Sequence, residues 1–84
     1  MLTTGFSVKG TSLKLLRAGE RGVITRLKPL PVDTTRRLKN LGLVPGQTIR
    51  LEQRFPRFIV WVGNHRVALN ETMMNAVYIR LIES

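Results

Sequence analysis

Few residues of this chain could do acid–base or covalent chemistry. It has one histidine, His65, five acidic residues and no cysteine. Without cysteine there is no disulfide, no thiolate nucleophile and no cysteine-based zinc site. A metal site at His65 would need further histidine or carboxylate ligands converging on it, and Glu71, the nearest acidic residue along the chain, supplies one at most. His65 therefore reads as a solvated residue at a hairpin tip. Serine, threonine and lysine occur without a triad or an activated pair. The glycines fall in turns and match no phosphate-binding loop or dinucleotide fingerprint. These residues argue against an enzyme, and they imply no cofactor and no resident metal.

Binding chemistry is better supplied. Fourteen lysines and arginines against five acidic residues give a formal charge of +9. Such an excess suits an anionic counterpart: an acidic protein face, nucleic acid or an anionic membrane surface. The basic residues are scattered rather than blocked, which weakens the nucleic-acid reading. Arg36, Arg37 and Lys39 form the densest local group, fit either to meet phosphates or to serve as a solvated helix face. Trp61, Ile59 and Arg66 are the other candidates for partner contact, because tryptophan and arginine are enriched where proteins meet. Met73-Met74 offers a soft apolar pair, one of which should fill the core while the other is partly exposed.

The elements that must hold these residues are short. Residues 1–11, rich in glycine, serine and threonine, read as a flexible leader, and 12–84 as a single domain with a small core. Ser12 caps one helical turn in which Leu13 and Leu16 share a face. Residues 18–22 form a turn with glycine at both ends, Gly19 and Gly22, and 23–28 a strand with Ile24 inward. Asp33 is placed as the N-cap of a nine-residue helix. Leu38 and Leu41 lie on its inner face, Gly42 is its left-handed stop, Leu43 folds back on its end, and Pro45-Gly46 forms a type II turn. Residues 47–54 alternate as a strand with Ile49 and Leu51 inward. Residues 58–62 are apolar on both faces. Gly63-Asn64 fits a two-residue hairpin loop that pairs Val62 with His65, Val60 with Val67 and Phe58 with Leu69. In that register Ile59 and Trp61 point outward beside Ala68 and Arg66. Either they form an exposed apolar patch, or the leader or first helical turn covers them. Asn70 caps a second helical turn, and 77–82 is the last strand, with Ile79 and Leu81 inward. The pattern is mainly β: five short strands in a small barrel, one short helix after the first strand, and one or two helical turns.

The order Leu13, Leu16, Gly19, Gly22, Ile24, then Arg37-Leu38, Leu41-Gly42-Leu43 and Pro45-Gly46, then Ile49, Leu51, Val67-Ala68-Leu69, Ala76, Ile79 and Leu81 resembles the FeoA family of bacterial ferrous iron uptake. The resemblance covers about residues 12–82, and its most specific part is the Arg-Leu, Leu-Gly-Leu, Pro-Gly run. It implies an SH3-like barrel and a non-catalytic accessory role in the cytoplasm. The expected partner is the cytoplasmic part of a FeoB-like GTPase permease, which would bring the chain to the inner face of the membrane. Two features depart from the family pattern: a shorter turn at 55–57 and a longer leader. The alternative is a nucleic-acid-binding SH3-like barrel that uses the basic surface. A homo-oligomer formed through the apolar strand 58–62 is a further possibility.

Overall fold

The computed structural model describes residues 10–82. The chain runs through β1 (Thr11–Ser12), a 3₁₀ turn (Leu13–Leu15), β2 (Arg21–Leu27), α1 (Val32–Asn40), β3 (Thr48–Gln53), β4 (Phe58–Val62), β5 (His65–Leu69), α2 (Glu71–Ala76) and β6 (Val77–Ile82). The strands form one antiparallel sheet in the order β1-β6-β2-β3-β4-β5. The expected five strands are all present, and the two-residue β1 adds a sixth. It takes Thr11, assigned above to the leader, into pairing with Ile79. Residues 1–9 of that leader lie outside the described residues.

The sheet curls around a single core. Ile24 of β2, Ile49 and Leu51 of β3, Val60 of β4, and Val77 and Ile79 of β6 are all essentially inaccessible to solvent. Leu13 and Leu16 from the 3₁₀ turn, Leu38 of α1, Leu43 beyond it and Met73 of α2 join the same cluster. Burying such aliphatic side chains is worth about 1.5–3 kcal/mol each. The helical pieces therefore act as lids on the open ends of the curled sheet. α2 lies against β1, β6 and the 3₁₀ turn. Arg54 fastens the same 3₁₀ turn by donating from Nη1 to the carbonyls of Lys14 and Leu16.

The segment 33–46 matches its expected stop and turn. Gly42 has φ +88° and Gly46 φ +94°, the left-handed values that glycine adopts without strain. Leu43 N–H donates back to the Leu38 carbonyl at 2.9 Å, so this apolar residue does return to the helix end. Leu41 is only half-buried and packs on the rim of the core. The start of the helix differs from expectation. Pro31, not Asp33, occupies the N-cap position and makes no side-chain cap bond. Thr35 N–H donates to the Pro31 carbonyl, and its hydroxyl donates to that of Leu30, so the helix starts two residues earlier. Asp33 lies inside the first turn, still favoured there by the helix dipole, and pairs with Arg36 at 3.6 Å.

Two further expectations are corrected. Gly22 belongs to β2 rather than to the turn before it, and is buried. Leu81 is 44% exposed, because it pairs with Gly22 at the end of the sheet, where the facing residue has no side chain to cover it. The second helical turn and the last strand have the boundaries read from the sequence. Asn70 Oδ1 accepts from Met73 N–H at 2.8 Å to cap α2.

Candidate partner-binding site

The β4–β5 hairpin sets the site. Gly63 has φ +60°, and the loop produces the expected pairs Val62 with His65, Val60 with Val67 and Phe58 with Leu69. Alternation then turns Ile59 and Trp61 to the outer face, opposite Ala68 and Arg66 of β5. On the other side, β3 places Gln53 beside Ile59 and Arg50 beside Trp61.

This outer face is not the open apolar patch of the first reading. Ile59 is only 9% exposed and Trp61 is half-buried. Trp61 is engaged by Glu52, a residue the sequence did not single out. Its Oε1 accepts from the Trp61 indole N–H at 2.7 Å, and its carboxylate receives Arg66 through Nε at 2.9 and 3.1 Å and Nη2 at 2.6 Å. The Arg50 guanidinium stands 5.9 Å from the centre of the Trp61 ring. A two-pronged arginine–carboxylate contact of this kind fixes direction as well as distance. The indole is thus held by its N–H and bordered by two cations. Hydrogen bonding from Arg66, assisted by the indole N–H and by the positive charges of Arg66 and Arg50, lowers the Glu52 carboxyl from 4.5 to about 2. Arg66 is raised in return by the same contact. A signal was present in the sequence: Glu52 is the only acidic residue between Asp33 and Glu71, in a stretch containing Arg50, Arg54, Arg57 and Arg66.

The remaining candidates divide between neighbouring surfaces. Arg36 and Lys39 of α1 line a shallow cavity of about 360 Å³ with Leu30, Val32 and Thr35. Lys39 also borders a second cavity, of about 340 Å³, with His65 and Arg66. The structure thus brings Trp61 and Arg66 together through Glu52 and places Lys39 near Arg66, while Arg36 faces elsewhere. His65 is exposed at the hairpin, and among the described residues no three His, Cys, Asp or Glu side chains are grouped to hold a metal ion. Met73 is buried and Met74 partly so, as the sequence suggested.

The FeoA domain family matches residues 11–81. The chain belongs to the FeoA family. It is 39% identical over 79 residues to a Leptolyngbya boryana protein named as an Fe(2+) transport protein A, covering 93% of this chain and 96% of that one. The crystal structure of Stenotrophomonas maltophilia FeoA complexed with zinc, described as a procaryotic SH3 domain protein, is similar at TM-score 0.72 and 27% identity, over 82% of this chain and 88% of that one. A crystal structure of an iron uptake regulatory protein, FeoA, matches at TM-score 0.78 and 24% identity, over 88% of this chain and all of the other, and supports the fold. FeoA is an accessory family of ferrous iron transport, and its SH3-like domain is the mainly β fold described above. No helix among the described residues is long and apolar enough to cross a membrane.

Proposed function

We propose that this FeoA chain is a non-catalytic adaptor that binds the cytoplasmic part of a FeoB-like GTPase permease and modulates ferrous iron uptake. Trp61, pinned by Glu52 and flanked by Arg50 and Arg66, is the observation that carries the reading. A large aromatic side chain fixed before encounter loses little freedom on binding, and the surrounding cations suit an acidic protein face. Arg66 and Lys39 extend the cationic surface toward α1. The aromatic residues argue against the nucleic-acid alternative. Arg26 stacks on Tyr78 of β6 at 4.3 Å, two strands away from the β3–β4 pair that carries Arg50 and Trp61. The aromatic–basic pairs therefore form no continuous stacking platform.

Trp61→Ala should weaken binding to the permease's purified cytoplasmic region by roughly tenfold or more, measured by calorimetry, if Trp61 is a central anchor. Thermal unfolding of the variant separates a lost contact from a lost fold. Unchanged affinity with an intact fold would remove Trp61 and this face from the reading.

A further inference from the structure

Three cavities follow the side of β5 that faces away from β4, and they share walls. The first, about 540 Å³, lies between the β3–β4 turn and α2 and includes Arg37, Arg54, Arg57, Ala68 and Met73. The second, about 390 Å³, includes Arg37, Leu41, Arg66, Val67, Ala68 and Met73. The third, about 340 Å³, includes Lys39, Leu41, His65, Arg66 and Val67. Arg37, Ala68 and Met73 join the first two, and Leu41, Arg66 and Val67 join the second to the third. Together they make one groove between α1 and the edge of β5.

The backbone along this groove is chemically unfinished. Among the described residues β5 pairs with β4 alone. A two-residue loop makes Val62 and His65 a hydrogen-bonded closing pair, and the alternation of antiparallel ladders puts Val60 with Val67 and Phe58 with Leu69 in the same class. The N–H and C=O groups of His65, Val67 and Leu69 are thus directed at β4. Those of Arg66 and Ala68 point into the groove. Neither residue makes a backbone hydrogen bond in any turn, loop or cap contact among the described residues. An edge of this kind is a template for another strand.

We propose that this groove receives an extended acidic segment of a partner protein, which adds to β5 as a further strand. Arg66 and Ala68 would exchange main-chain hydrogen bonds with it, the mode in which backbone groups supply affinity and alternate side chains supply specificity. One set of the segment's side chains would meet the apolar floor of Leu41, Val67 and Met73. The other set would pass Ala68, which has no bulk to block it. Acidic character follows from the walls: Arg37, Lys39, Arg54 and Arg57 surround the groove, Arg66 is shared with Glu52, and among the described residues Glu71 is the one acidic residue lining it. A second copy of the chain is a poor occupant, since each carries +9 and would bring Arg37 and Arg66 against the same groups. The inference goes beyond the adaptor reading and does not require the permease, so its test leaves that reading untouched.

The test uses the full chain and three synthetic peptides: one alternating glutamate and valine, its lysine–valine counterpart, and the first peptide N-methylated on the edge that would face β5. Amide NMR should show the glutamate–valine peptide shifting Arg66 and Ala68 and slowing their hydrogen exchange by about tenfold or more, with weaker binding at high salt. The lysine peptide and the methylated peptide should bind at least about tenfold more weakly. Ala68→Pro removes the N–H directed at the groove and leaves the β4 ladder intact, so it should produce a similar loss. If that variant fails to fold, the methylated peptide decides. Equal binding of the methylated peptide, undisturbed Arg66 and Ala68 amides, or protection of that edge by self-association without peptide would each overturn the proposal.

Discussion

A carboxylate that accepts from a guanidinium and an indole at once resists protonation. Glu52 is in that position, and its folded-state pKa falls to about 2. A depressed carboxyl contributes stability above its unfolded value, near 4.5, and that contribution disappears as pH falls through the interval down to about 2. Carboxyl-carbon NMR should therefore give Glu52 a midpoint near 2, and Arg66→Met should return it toward the ordinary range. A midpoint near 4.5 in the unaltered chain would mean that the Arg66 contact is absent in solution. The outward placement of Trp61 could be read from the hairpin loop, because a two-residue loop fixes register and register fixes which face each side chain takes. Its shielding could not. That depends on a diagonal contact from β3 to β5 across β4, and no spacing along the chain encodes such a contact.

At the level of elements, local signals were legible and distant ones were not. Asn70 announced α2, Gly42 ended α1, and Gly63-Asn64 set the β4–β5 ladder, each through the conformation of its own few residues. β1 was missed because two residues have no period of their own and exist as a strand only beside Ile79 and Tyr78. Asp33 was misplaced by one rule competing with another. Cap and first-turn positions both favour an acidic residue, and Pro31 with Thr35 settled which one Asp33 took. Gly22 looks like turn punctuation in the sequence, but in β2 its missing side chain lets β6 come close. A Cβ built there would stand 2.7 Å from Ile79 Cδ1 and 3.1 Å from the Arg80 carbonyl oxygen. Gly22→Ala should cost about 1–3 kcal/mol by overpacking, read from chemical denaturation. A neutral result would mean that the Ile79 side chain or the β2–β6 spacing gives way without loss. Gly19, by contrast, has nothing within 4 Å of such an atom, although its φ of +92° still favours glycine.

For the whole molecule, charge governs encounter more than affinity. A chain of +9 approaching an acidic face is steered by a long-range field that salt screens. Raising ionic strength from dilute to physiological should slow association with the permease's cytoplasmic region by roughly tenfold and leave dissociation little changed, as surface plasmon resonance would show. Nucleic acid binding of comparable strength with a far steeper salt slope would favour the alternative set aside above. The sequence disclosed this net charge at once. It did not disclose that Arg54 is spent on two carbonyls, or that Arg66 is held by Glu52, since a charge's employment depends on which strands lie beside it.

The strand order has a consequence for how the domain can be tethered. β1 and β6 lie side by side at one margin of the sheet, and Thr11 sits opposite Ile79, so Thr11 and Ile82 are separated by little more than three residues of rise, about 10 Å. β5 occupies the far margin. The two ends of the described residues therefore point the same way along neighbouring strands, while the groove belongs to the strand at the other end of the order. The first and last described strands thus share one margin, and the strand edge offered to a partner is a different one.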